Sequence, residues 1–114
     1  MRRTKRILAG VALSAALVMS PMVSLPASAA PAARFQIVDF SFSPAQRTIT
    51  VGQKVGWVNQ GFADHTATSD TPGLFGSPIL APGGRFQASF PTAGTFTFHC
   101  RIHPFMTGTV VVNP

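Results

Sequence analysis

Along most of this chain, apolar residues recur at every second position, which is the period of a half-buried strand. Residues 35–42 read F-Q-I-V-D-F-S-F, with apolar side chains at largely alternating spacing. T-I-T-V at 48–51 passes through Gly52 into K-V-G-W-V-N, where Val55 and Trp57 share one face. H-T-A-T-S at 65–69 predicts a further short strand. Phe86, Ala88 and Phe90 alternate in R-F-Q-A-S-F, and Phe96, Phe98 and Cys100 alternate in G-T-F-T-F-H-C. T-V-V-V-N then closes the chain. Turn signals separate these runs: Ser43-Pro44, Gly52, Gly61, Pro72-Gly73, Pro82-Gly83-Gly84, Pro91 and Gly94. Residues 69–84 carry no clear period and predict a long loop. About seven short strands with such punctuation predict an all-β fold, a Greek-key β-sandwich.

The N-terminal stretch follows a different rule. R-R-T-K-R at 2–6 precedes an apolar run from Ile7 to Met19, and P-A-S-A-A follows at 26–30. A basic start, a short apolar run and Ala27-x-Ala29 together predict a secretory signal peptide over residues 1–29, leaving a domain of residues 30–114. The run is shorter than the roughly 20 apolar residues that span a bilayer, so no membrane span is expected after cleavage.

This reading changes the charge. The whole chain carries +6, but four of its nine Lys and Arg lie at positions 2 to 6. Five cations and three aspartates remain, a net of +2. Nucleic acid is thereby excluded as an expected partner, because the basic excess belongs to the targeting segment. All ten Phe and Trp57 fall beyond residue 29, so aromatic packing is expected to stabilise a small core.

One cysteine cannot close an intramolecular disulfide, and a lone thiol in an oxidising compartment is prone to oxidation. Cys100 lies in F-H-C-R-I-H-P-F-M-T-G at 98–108, which also holds two of the three histidines and the only Met beyond residue 22. Strand parity separates the two local histidines. Cys100 shares the inward face with Phe96 and Phe98, whereas His99 faces outward with Thr95 and Thr97. His103 lies past the strand, where Pro104 opposes a helix. Steps of three residues from Cys100 to His103 to Met106 bring three donors into one tight loop, and His65 is the remaining histidine for a fourth.

Donor type restricts the metal. Zinc sites rarely use a thioether, and calcium and magnesium take oxygen ligands. One thiolate, two imidazoles and a weak thioether form the donor set of blue-copper electron-transfer sites. A hydrolase is not expected, because Asp39, Asp64 and Asp70 are scattered and no G-x-S-x-G or phosphate loop occurs.

F-H-C-R-I-H-P-F-M-T-G-T-V-V-V resembles the C-terminal copper loop of the cupredoxins, and its short Cys-x2-His-x2-Met spacing is most similar to the amicyanins. Plastocyanins and pseudoazurins share the ligand order with longer loops. V-G-Q-K-V-G-W-V-N at 51–59 and D-H-T-A-T-S at 64–69 resemble the family's strand and first-histidine regions, and the likeness runs from Phe35 to Val112. It implies one type 1 copper on His65, Cys100, His103 and Met106, in an exported, periplasmic or extracellular monomer that carries electrons and catalyses no reaction. Redox proteins are the implied partners, such as an amine dehydrogenase as donor and a c-type cytochrome as acceptor. Electrons are expected to leave by the edge of His103, beside Pro104 and Phe105, and Asn59 and Thr66 are candidates for hydrogen bonds behind the ligands. Ile102 and Thr66 depart from the proline and asparagine usual in amicyanins. The alternative is a copper carrier or resistance protein that delivers metal without electron transfer. Such carriers use open Met-rich or His-rich sites, and residues 30–114 hold a single Met.

Overall fold

The computed structural model describes residues 30–114, so the signal-peptide reading concerns residues outside the described part. Eight strands form: β1 (Ala33–Val38), β2 (Ser41–Ser43), β3 (Gln46–Thr50), β4 (Lys54–Asn59), β5 (Thr68–Ser69), β6 (Arg85–Ser89), β7 (Gly94–His99) and β8 (Thr107–Asn113). They make two four-stranded sheets, ordered β2-β1-β4-β6 and β3-β8-β7-β5. Beyond the β1–β2 hairpin the chain changes sheet at every step until β7 and β8. That alternation closes a sandwich, as the strand pattern predicts.

The one long strand expected over 35–42 is two. Val38 pairs with Ser41 and Ile37 with Phe42, so Asp39 and Phe40 form a tight reversal between β1 and β2. The pair Asp-Phe is not a usual hairpin-turn signal, which favours Asn-Gly and Asp-Gly. Phe35, Ile37 and Phe42 all face the core despite the reversal, because a two-residue turn places residues 37 and 42 opposite each other on one face. The strand expected over 65–69 shrinks to Thr68–Ser69, and His65 keeps only an isolated bridge to Leu80. The loop expected over 69–84 folds back along this segment, where Ser77 N donates to Ala67 O at 2.9 Å and Ser77 Oγ accepts from Ala67 N at 2.9 Å.

Aromatic rings fill the space between the sheets. Phe98 of β7 is completely buried and meets Phe42, Phe35 and Trp57 at centroid distances of 4.7, 5.0 and 5.4 Å, each near perpendicular. Edge-to-face contact is the favoured arrangement for such rings. Gly108 of β8 is the cross-strand partner of Phe98, and a Cβ there would overlap the Phe98 ring. The strand that leads into Cys100 is therefore anchored two residues earlier by the aromatic core.

Candidate metal centre

The site lies at one end of the sandwich, where three segments meet. The first is the loop after β4. Asn59 is completely buried at the strand end, and its Nδ2 donates to Ala63 O at 2.9 Å and Leu80 O at 2.8 Å. Its Oδ1 accepts from Gly61 N at 2.9 Å, so one amide holds residues 59–63 in shape. His65 follows, tied to Leu80 by a reciprocal pair of backbone bonds at 3.1 and 2.8 Å.

The second segment runs from Cys100 to Met106. Cys100 N donates to Met106 O at 3.1 Å and Met106 N to His103 O at 2.9 Å, which closes the loop on itself. Met106 is buried and Cys100 has no exposure. Thr66 joins the two segments: its Oγ1 accepts from Arg101 N at 2.8 Å and its N donates to Cys100 Sγ at 3.4 Å. The hydrogen-bonding parts expected of Asn59 and Thr66 are thus filled by contacts to the ligand loops.

Three donor atoms converge between these segments. Cys100 Sγ lies 3.8 Å from Nδ1 of both His65 and His103, and the two Nδ1 atoms are 3.2 Å apart. Metal–nitrogen and metal–sulfur bonds of about 2.0–2.3 Å, opening at about 100–120°, separate neighbouring donors by about 3.2–3.8 Å. The observed triangle fits a single ion at its centre. His65, Cys100 and His103 are also the one such group of His, Cys or acidic side chains among the described residues. Met106 is buried in the same closed loop, tied by its backbone to Cys100 and His103.

His99 does not join them. It faces outward as parity predicts, with Nδ1 2.5 Å from Asp70 Oδ1, and Thr97 Oγ1 donates to Asp70 Oδ2 at 2.5 Å. The Thr97 hydroxyl, and then His99, hold the Asp70 carboxyl below its ordinary value. His103 is half-buried, with the Phe40 ring edge-on at 5.0 Å and Phe105 at 6.2 Å. Phe105 itself is 72 % exposed, which settles it as a surface ring and not a core one.

The third segment was not expected. Asp39, in the β1–β2 turn, places Oδ1 2.7 Å from His65 Nε2. The sequence separates these residues by 26 positions, and no local pattern links them. Only the parallel pairing of β1 with β4, with Ile37 opposite Asn59, brings the turn beside the loop that carries His65. The His65 ring, and then the Phe62 amide, hold the Asp39 carboxyl below its ordinary value, so it is a carboxylate at neutral pH.

The surroundings of the sulfur favour a metal-binding thiolate. Burial pushes the Cys100 thiol up, but the Thr66 and His103 amides, the His65 side chain and the Ile102 amide together outweigh it and lower it from 9.0 to about 6. In the metal-free protein the ultraviolet absorption of the thiolate is expected to develop with a midpoint at about pH 6. The sign of the linkage follows, because the folded value lies below the unfolded one. The metal-free fold is most stable above the ordinary thiol value and loses this contribution as pH falls through about 6. A titration midpoint left near 9.0 would show that these hydrogen bonds do not outweigh burial at the sulfur.

Residues 9–112 match the family model described as a cupredoxin-like domain. Amicyanin from Paracoccus denitrificans is 29% identical over 82 residues, covering 68% of this chain and 62% of that relative. The chain therefore spans less than two thirds of that relative's length. Plastocyanin from Scenedesmus fuscus is 34% identical over 84 residues, covering 63% of this chain and 86% of that one. The solved purple cupredoxin from Nitrosopumilus maritimus superposes with a TM-score of 0.67 at 30% identity, covering 71% of this chain and 99% of that structure.

Proposed function

The chain belongs to the cupredoxin family, and from that premise we propose that it carries single electrons between redox proteins on one copper held by His65, Cys100, His103 and Met106. The observation that carries this reading is the buried triangle of one sulfur and two Nδ1 atoms within 3.8 Å of one another. When bound, copper supplies one-electron chemistry by alternating between Cu(II) and Cu(I). The protein's part is to hold the donors still. His65 is fixed by Leu80 and Asp39, Cys100 by Thr66 and Met106, and the loop by its own backbone bonds, so little reorganises when the charge changes.

His103 is the one member of the triangle that reaches the surface. Phe40, Ile102 and Phe105 surround that end as exposed apolar side chains. This rim suits a brief, dry contact with a redox partner, with the imidazole edge as the route for the electron. A dehydrogenase as donor and a c-type cytochrome as acceptor fit such a surface, and a monomer leaves it free. Among the described residues no helix is long and apolar enough to cross a membrane. The basic and apolar pattern of residues 1–29 supports export and a domain of residues 30–114 working in the periplasm or outside the cell.

Delivery of copper to another protein is the weaker reading. A donor site must open to exchange, whereas Cys100, His65 and Met106 are buried. Adding Cu(II) to the metal-free protein separates the two. An intense blue absorption from thiolate-to-copper charge transfer is expected of the electron carrier, and a pale tetragonal spectrum would support the metal carrier instead.

A further inference from the structure

We propose that Asp39 is a positioning residue that acts through His65, fixing its tautomer and lowering the reduction potential of the centre. The proposal rests on the ligand assignment above and adds a residue to it from an element that carries none of the ligands.

The first ground is the direction of the proton. An ionised carboxylate can only accept hydrogen bonds. With Asp39 Oδ1 2.7 Å from Nε2, the proton of the neutral His65 ring sits on Nε2. The Nδ1 lone pair then faces Cys100 Sγ and His103 Nδ1, where a cation would receive it. The ring is completely buried and so closed to bulk solvent.

The second ground is that the carboxylate is itself held. Asp39 Oδ2 accepts from Phe62 N at 2.7 Å, and Oδ1 also accepts from Ala63 N at 3.2 Å. Those amides belong to the loop that Asn59 keeps in shape. Gly61 makes the room: a Cβ at that position would overlap Asp39 Oδ1. Phe40, the next residue, packs edge-on against both His65 and His103, so one two-residue turn touches both imidazoles. The glycine, the two amides and the turn are arranged around this one carboxylate.

The consequence is electrostatic. A negative charge one imidazole away makes His65 a stronger donor and favours the more positive metal state. Cu(II) is stabilised more than Cu(I), so the potential is lower than with a neutral acceptor in the same place. Removing the charge must raise it.

Three variants separate charge, hydrogen bond and position. Asp39→Asn keeps the shape and an accepting oxygen but loses the charge. A rise in potential is expected, of the size that a tenfold change in the Cu(II)/Cu(I) affinity ratio produces, about 59 mV for one electron. Asp39→Ala also loses the acceptor, and copper affinity should fall by about 10- to 100-fold. Nitrogen NMR of metal-free Asp39→Ala should then show His65 exchanging between tautomers, where the parent protein shows the proton on Nε2. Gly61→Ala displaces the carboxylate while leaving Asp39 in the chain, and its potential should rise too. An unchanged potential in folded Asp39→Asn would overturn the electrostatic role, and a metal-free parent with the proton on Nδ1 would overturn the positioning role. The tautomer measurement needs no copper. A parent protein that shows no blue colour with Cu(II) would therefore sink the electron-carrier reading separately.

Discussion

Cys100→Ser is expected to abolish the blue absorption completely while leaving a folded, cooperatively unfolding domain. The colour requires charge transfer from a thiolate, and Cys100 is the only cysteine in the chain. A serine hydroxyl at that position stays protonated at neutral pH, is a harder donor, and cannot supply the transition. The fold does not depend on the sulfur in the same way. Cys100 lies just past the end of β7, and the rings around Phe98 pack two residues earlier in the strand. Serine is close in size, and its oxygen can accept from Thr66 N as the sulfur does. Absorption with added Cu(II) and circular dichroism of the metal-free variant give the two readouts. A blue band that survived would place the chromophore elsewhere, and loss of the dichroism signal would mean that the sulfur or its metal is needed to fold.

Phe98→Ala should destabilise the metal-free domain by about 3–5 kcal/mol, the range for emptying an aromatic site in a packed core. Four other rings, Phe35, Phe42, Trp57 and Phe75, border the space it leaves. Phe35, Phe42 and Trp57 belong to the sheet facing β7 and Phe75 to the 69–84 loop, and they cannot all move inward together. Gly108→Ala attacks the same contact from the other side. Its Cβ would press into the Phe98 ring, at a cost of about 1–3 kcal/mol for overpacking. In the Phe98→Ala background the added methyl meets open space, so the two costs should fall short of their sum by about 0.5–3 kcal/mol. Urea unfolding of the two single variants and the double variant measures this. Strict additivity would show that Gly108 is small for some reason other than the ring opposite it.

This second prediction bears on function through the strand it concerns. β7 delivers Cys100 to the site, and Phe98 fixes the depth of that strand in the sandwich. A loosened Phe98 therefore acts on the proposed copper ligands without touching them. The same logic explains why His99, between the two buried positions, is excluded. The pleat sends its ring to the other face of the sheet, where Asp70 receives it.

What could be read from the sequence alone is what short stretches of backbone encode. Alternation along 85–90 and 94–100 identified strands and sorted Phe98 and Cys100 inward and His99 outward, because side-chain direction in a strand is a property of two successive residues. The Cys100, His103 and Met106 group was legible for a related reason. Steps of three residues can place their side chains in one tight loop, and Pro104 marks the turn that does so. His65 was reachable by counting histidines and by resemblance. The turn at Asp39-Phe40 was not legible, since Asp39 is followed by Phe40 where a hairpin turn favours Gly, and the alternation around it reads as one unbroken strand. The roles of Asp39, Gly61 and Phe40 at the site were not legible either. Asp39 meets His65 only because β1 lies parallel beside β4 with Ile37 opposite Asn59. That register is chosen by the packing of Phe35, Ile37, Val55 and Trp57 between the sheets, a sum over many weak contacts that no local stretch contains.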